Sequence, residues 1–512
     1  MNYKLINKYF FILKKMHPKI LIFFAVLVLV ICDHPILYEI STRPWLYELS
    51  QKYGKTITKI KQIPSAEFDN LKKHGIEIVW MMGVWKLGTY GLEFDRKQDY
   101  SSVLPGWTKD DVIGSPYSIT EYTCNPDIGT DSDLVWLRKQ LNSRGMKLML
   151  DFVPNHSAVD APTATSHKDY YMRAPHGKSD SKRYTSDGIA YGKDPWFDPW
   201  RDVIQWNYWE PQTRQFMKEN LLKVLKYADG ARCDMAHLIL NDVFGGTWKE
   251  ELAAWGYSRP STEFWEYALG EAKQKYPNAI LLAEVYDEWQ ITKLHELGFT
   301  YCYDKALLDN LKGTAFVVND YIHYKTESFW GHVAHFVENH DENRAVYNMA
   351  GNVEKAKAAG TIAATLGGMI FFNHGQWDGL KNRLDVHLRR GATESKNSGV
   401  AKYYDKLTSI IVDPAFKGPN YYFVYNMSGD RKNDFIAYLR EKDKSHYLIV
   451  VNYASTYGCA EVPIYNIGGS GNIKVKEMIS DVEYTRNAET IRGVGLTVCL
   501  AGYQAQIFKY NY

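Results

Sequence analysis

The chain has 512 residues, with 61 basic against 59 acidic side chains, a net charge of +2, 45% hydrophobic residues, and 38 Tyr and 15 Trp. That length exceeds an ordinary single domain and suits one large barrel-sized domain plus a smaller one. The balanced charge excludes an electrostatic basis for binding nucleic acid or an acidic polymer; a neutral ligand fits better, and flat aromatic faces suit sugar rings.

At the start of the chain, Lys4, Lys8, Lys14, Lys15 and Lys19 precede an apolar run from Ile20 to Cys32, which Asp33-His34-Pro35 breaks. A membrane span needs about 20 apolar residues, so this shorter run reads as the core of a signal peptide over 1–32. The expected location is secreted or extracytoplasmic; anchoring in a membrane through residues 20–32 is the alternative. The cysteines are Cys32, Cys124, Cys233, Cys302, Cys459 and Cys499, without the paired spacing of a zinc or redox site. Cys459 with Cys499 is the one pair expected to form a disulfide.

From Ile36 onward, short apolar segments alternate with amphipathic helical stretches, as in a parallel sheet covered by helices. Expected strands are Leu37–Thr42, Ile76–Met82, Lys147–Val153, Gly230–Asp234, Ala279–Val285, Thr300–Tyr303, Ala334–Glu338 and Gly368–Phe372. One intervening helix follows Thr130 or Asp131 as cap, puts Leu134, Leu137 and Leu141 on one face, and ends at Gly145. Eight such units predict an α/β fold, a TIM (β/α)8 barrel over 33–415, with a loop-rich insertion after the third strand at 157–205.

Two connections are longer than a plain barrel needs, Gly83 to Ser118 and Asn155 to Asn207. Their aromatic residues, among them Trp85, Tyr90, Trp107, Trp196, Phe197, Trp200 and Trp206, either pack a small subdomain or line sugar subsites. Past Ala415, alternating runs such as Asp434–Arg440, His446–Asn452, Glu461–Tyr465, Ile473–Met478 and Ala505–Tyr510 predict a C-terminal antiparallel β-sandwich over 416–512.

Four expected strand ends carry polar residues that a buried strand would not choose: Asp151-Phe-Val-Pro-Asn-His156, Gly230-Ala-Arg-Cys-Asp234, Ala283-Glu-Val-Tyr286 and Phe336-Val-Glu-Asn-His-Asp341. A lone acid at a strand end is usually a cap or an ion-pair partner. Four in barrel order, all delivered to the face where barrel enzymes keep their sites, point instead to a catalytic mouth.

In this order the segments closely resemble the signature regions of the α-amylase family, the family 13 glycoside hydrolases, over nearly all of Ile36 to Tyr510. The resemblance implies a retaining glycoside hydrolase that acts on α-glucosidic bonds of α-1,4-glucans or maltooligosaccharides through a covalent glycosyl-enzyme. It makes Asp234 the nucleophile, Glu284 the general acid/base and Asp341 the stabilising third carboxylate. Arg232 would orient Asp234; His156 and His340 would bind sugar hydroxyls, Tyr117 would stack beneath the same ring, and Asp151 and Asn155 would brace the site.

After the nucleophile, Met235-Ala236-His237-Leu238 departs from the family's Asp-x-x-Lys-His, so that His237 stands at the lysine position on the leaving-group side. This puts long-chain starch in question as the substrate and weakens the expectation of the family's structural calcium ion, for which Asn155 is retained. The chemistry itself requires no cofactor, and the partner is an α-linked oligo- or polysaccharide; neither nucleic acid nor a protein partner is expected. An α-glucosyl transferase or isomerase would share every motif. A non-catalytic amylase-like subunit of a membrane transporter would be marked by loss of the catalytic carboxylates, and all three are present.

Overall fold

Eight parallel strands close into a barrel in the computed structural model, which describes residues 34–418 and 420–510. The strands are β1 (Ile36–Ser41), β2 (Ile78–Met82), β3 (Lys147–Phe152), β4 (Gly230–Cys233), β5 (Ile280–Ala283), β6 (Tyr301–Tyr303), β7 (Val333–His335) and β8 (Met369–Asn373). They neighbour one another in chain order, and β8 pairs with β1 to complete the ring. The expected leader lies outside the described residues. Among the described residues, no helix is long and apolar enough to cross a membrane.

Barrel strands are packed on both faces, which is why β2 and β8 are buried throughout and read as continuous apolar runs. The helix Asp131–Asn142 shows how the outer ring is built. Thr130 and Asp133 form a reciprocal capping box, Leu134, Leu137 and Leu141 are fully buried, and Gly145 leaves in the left-handed region at φ 71°. Each of those leucines contributes about 2 kcal/mol by burial. Gly230 is required where β4 meets β5, because a Cβ there would sit 2.4 Å from the Ile280 carbonyl oxygen.

The two long connections form small sheets over the barrel mouth. Trp85–Leu87 pairs with Ile119–Cys124, and His156–Ala158, Trp200–Gln205 and Tyr191–Gly192 make a three-stranded antiparallel sheet. Their aromatics divide into a buried and an exposed set. Trp85 and Trp206 are buried, Trp206 stacking on Tyr171 at 4.1 Å, whereas Tyr90, Trp196 and Phe197 stay exposed.

The C-terminal region holds a six-stranded antiparallel sheet made of β9 (Tyr421–Phe423), β10 (Phe435–Lys442), β11 (Ser445–Asn452), β13 (Asn472–Glu477), β14 (Glu483–Asn487) and β16 (Ala505–Tyr510). β12 (Gly458–Val462) and β15 (Leu496–Leu500) form a second, two-stranded sheet. Alternation along β10 explains the layering: Ile436 and Tyr438 join the barrel core, while Phe435, Ala437 and Leu439 join a separate core beneath the smaller sheet. Cys459 and Cys499 lie directly opposite in β12 and β15 and are disulfide-bonded.

Candidate active site

The four motif segments meet at the C-terminal ends of their strands, and the fully buried Arg232 on β4 is their hub. Its Nη1 donates to Asp234 Oδ1 at 2.7 Å and lies 3.8 Å from Asp151 Oδ1; its Nη2 makes an ion contact of 2.8 Å with Glu284 Oε2. Its Nε donates to the Tyr303 hydroxyl at 3.2 Å, and Trp80 and Tyr117 flank the guanidinium at 5.0 and 5.3 Å from their ring centres. Arg232 and Asp234 are two residues apart, so the pleat turns both side chains to the same face.

Met235, immediately after Asp234, adopts the left-handed region at φ 42° and ψ 43°, a strained choice for a side chain with a Cβ. This turn aims its N–H at Glu284 Oε2, 2.7 Å away, while the Tyr286 hydroxyl donates to Glu284 Oε1 at 2.6 Å. Asp234 and Glu284 are thus pinned side by side around one guanidinium. Burial, then the Glu284 charge, push the Asp234 carboxyl up to about 8 against the pull of Arg232. The Asp234 carboxyl is therefore raised into the range where it can take up a proton near neutral pH.

Asp341 projects from the loop after β7, where the Asn339 side chain accepts from the Asp341 and Glu342 N–H groups and fixes the turn. Its side chain is 42% exposed, open to the mouth. Burial alone would raise its carboxyl, but the charge and hydrogen bond of His340, with Arg232 and Arg383, hold it well below the carboxylate range. His340 reaches Asp341 through Nε2 at 3.0 Å and Glu39 through Nδ1 at 2.5 Å, and the Tyr117 hydroxyl stands 2.6 Å from Nε2. Burial would lower the His340 ring, yet Asp341 and Glu39 outweigh it and lift it to about 10, so it is an imidazolium at neutral pH.

Tyr117, Asp151, Arg232, Asp234, Glu284, His340 and Asp341 therefore share one connected site. Asp151 holds the floor, accepting from Trp80 Nε1 at 3.2 Å and the Gly83 N–H at 3.3 Å; burial, offset by Arg232 and His340, pushes it up to about 6. His156 stands apart, buried against Trp200 and lowered to about 3 by that burial, hence neutral. His237 is fully buried between the rings of Trp196 and Tyr286, and burial lowers it despite the nearby Glu284 charge. Asn155 ties the inserted sheet to the barrel, its Oδ1 accepting from Gln205 Nε2 at 3.0 Å. Among the described residues, no group of three or more His, Cys, Asp or Glu side chains is arranged to hold a metal ion.

Sequence reasoning passed over Glu39, Tyr286 and Tyr303. Glu39 carried a readable signal, a charge in the middle of a strand buried from end to end. Tyr303 and Tyr286 gave none, since a tyrosine at a strand end is ordinary packing until its hydroxyl partner is known.

The sequence model of the alpha-amylase catalytic domain matches residues 65–421. Alpha-amylase 3 of Dictyoglomus thermophilum is 24% identical over 302 residues, 53% of this chain and 56% of that protein. The alpha-1,4-glucan:maltose-1-phosphate maltosyltransferase of Rhodospirillum rubrum is 24% identical over 249 residues, 47% of this chain and 30% of that protein. The chain thus spans about half the length, or less, of these curated relatives. In fold it is similar to the alpha-amylase of Geobacillus thermoleovorans complexed with acarbose, with a TM-score of 0.67 at 18% identity over 93% of this chain and 98% of that one. With the catalytic-domain match covering most of its length, this chain belongs to the alpha-amylase family.

Proposed function

We propose that this chain cleaves α-glucosidic bonds of α-1,4-linked glucans or maltooligosaccharides with retention of configuration. The observation that carries the reading is the single buried guanidinium of Arg232 in contact with both Asp234 and Glu284. This supports the short carboxylate spacing of retaining enzymes, about 5 to 5.5 Å, over the wider gap that inverting chemistry leaves for a water.

In the reactive form a proton sits on Glu284, which can turn its bond with Tyr286 round and donate. The part of the rise of Asp234 that comes from the Glu284 charge then vanishes, and Arg232 favours the ionised Asp234 against burial. Asp234 attacks the anomeric carbon as Glu284 gives its proton to the departing glycosidic oxygen, leaving a covalent glycosyl-enzyme. Glu284, now a carboxylate, takes a proton from water or an acceptor hydroxyl; that oxygen displaces Asp234, and the second inversion restores the configuration. Asp341, held ionised by His340, accepts hydrogen bonds from ring hydroxyls and stabilises developing positive charge on the ring. Tyr117 and the neutral His156 supply further sugar contacts. These steps use side chains alone.

Transfer to a second sugar is the alternative, supported by the maltosyltransferase among the relatives and by a groove of about 420 Å³ beyond Glu284. The exposed Trp196 and Trp289 flank it and could hold an acceptor ring by its faces. Anomeric NMR of the chain with maltooligosaccharides and an added acceptor sugar tests both readings. The α-anomer should appear first; a β-anomer would overturn the role of Asp234, and elongated products in place of glucose or maltose would assign transfer. A secreted location rests on residues 1–32, and a mature mass that starts near residue 33 is the check.

A further inference from the structure

A cavity of about 1000 Å³ lies away from the carboxylates, between the helix Ala315–His323 and the β9 edge of the C-terminal sheet. Its lining shares no residue with the site described above. Large aromatic side chains are normally buried or paired, yet here Phe316 is 75% exposed, Tyr324 74% and Tyr425 49%. All three line the groove. His323 lies 4.7 Å from Tyr324, 5.2 Å from Phe423 and 5.0 Å from Tyr425, centre to centre, so the rings form one wall of the groove.

Three side-chain amides stand among the polar groups of the groove. Asn319 donates from Nδ2 to the Phe435 carbonyl at 2.9 Å, but its Oδ1 is buried at the groove without a hydrogen-bond partner. Asn426 and Asn433 add further amides. Its charged side chains are few and of both signs: Asp434 is paired with Arg431 at 2.6 Å, and Asp320 and Lys432 carry opposite charges. An anionic ligand finds no cluster of cations here, and an apolar peptide face would leave the amides unpaired. Ring faces beside amide donors and acceptors, in a volume at the top of the usual range of about 300–1,000 Å³ for ligand pockets, match a neutral sugar chain.

We propose that this groove is a second carbohydrate-binding site, distinct from the catalytic mouth, that holds a segment of α-glucan on Phe316, Tyr324 and Tyr425 with Asn319 Oδ1 accepting from a sugar hydroxyl. The choice of α-glucan rests on the reading of the catalytic site above. Tethering a long chain here raises its local concentration at the mouth and leaves short substrates unaffected.

Affinity electrophoresis through gels containing amylose, a β-glucan or no polysaccharide tests this on the full chain, with Phe316→Ala/Tyr425→Ala and Asp234→Asn alongside the unaltered protein. Both substituted aromatics are exposed, so the fold should survive. The unaltered protein and Asp234→Asn should be retarded by amylose, and the aromatic variant should lose that affinity by about fivefold or more. Its rate on a short maltooligosaccharide should stay within about twofold of the unaltered protein. Unchanged retardation of the aromatic variant by amylose would overturn the second site, whatever the catalytic result. Aromatic-dependent retardation by the β-glucan in place of amylose would overturn the α-glucan assignment. Absence of hydrolysis with aromatic-dependent amylose binding would sink the catalytic reading and leave the second site standing.

Discussion

Two arginines among the described residues are fully buried, and they solve the same electrostatic problem in opposite ways. Arg232 at the barrel mouth is surrounded by carboxylates: Asp234 and Glu284 in contact, Asp151 slightly farther off. Arg440, on β10 where the C-terminal sheet meets the barrel, has carbonyl oxygens instead, donating to those of Ala415 and Gly418. Burial lowers Arg440 to about 10, with Tyr438 and Tyr421 opposing, whereas the ring of acids drives Arg232 upward in spite of burial. Carbonyl partners have no protons to exchange, so Arg440 serves as a fixed joint between layers. Carboxylate partners can each take up a proton, so the charge around Arg232 can be redistributed during a reaction.

Removal of each arginine is the sharpest way to break this contrast. Arg232→Met should lower kcat by about 100- to 1000-fold, since Asp234 loses the cation that keeps it ionised. The residual activity should have its optimum displaced to higher pH. A loss confined to KM, with the pH profile unmoved, would contradict the role given to Arg232.

Arg440→Ala should do the reverse. It strips donors from two carbonyls and opens space beneath Trp330 and Gly367, costing about 3 kcal/mol of stability by denaturant unfolding. The kcat of the folded fraction should be unchanged. If activity fell with stability intact, the joint would be part of the working machinery after all.

A smaller effect comes from the proton on Asp234. Its carboxyl stands near 8 in the fold against an ordinary 3.8, so the folded chain binds more protons than the unfolded one between those values. Stability contributed by this group is therefore full below about pH 4 and is lost as pH rises towards 8. Asp234→Asn should remove that slope. Its melting temperature should match the unaltered chain near pH 4 and exceed it by a few degrees, about 2–4 °C, at pH 8 and above. Equal melting temperatures at both pH values would show that Asp234 is ionised throughout.

Much of this was legible before any coordinates. All eight barrel strands stand where apolar runs alternate with helical stretches, because a strand packed on both faces must be apolar for its whole length. β14 escaped notice: Glu483–Asn487 is an edge strand, largely exposed, with no apolar alternation to betray it. β15 was missed although Leu496, Val498 and Leu500 alternate inward, since five residues give too few periods to stand out. Expected β12 was placed three residues late at Glu461–Tyr465, because its first residues, Gly458 and Cys459, carry no hydrophobic signal of their own.

What the sequence by itself determined is the barrel, its order, and the delivery of Asp234, Glu284 and Asp341 to one rim, since strand periodicity and strand-end acids are local properties. What only the tertiary structure decided is which charges share partners. Glu39 meets His340 across 301 positions of chain, and Arg232 joins acids from three different strands. Proton affinities in a buried site depend on distances between side chains brought together from remote segments, and closing the barrel is what sets them.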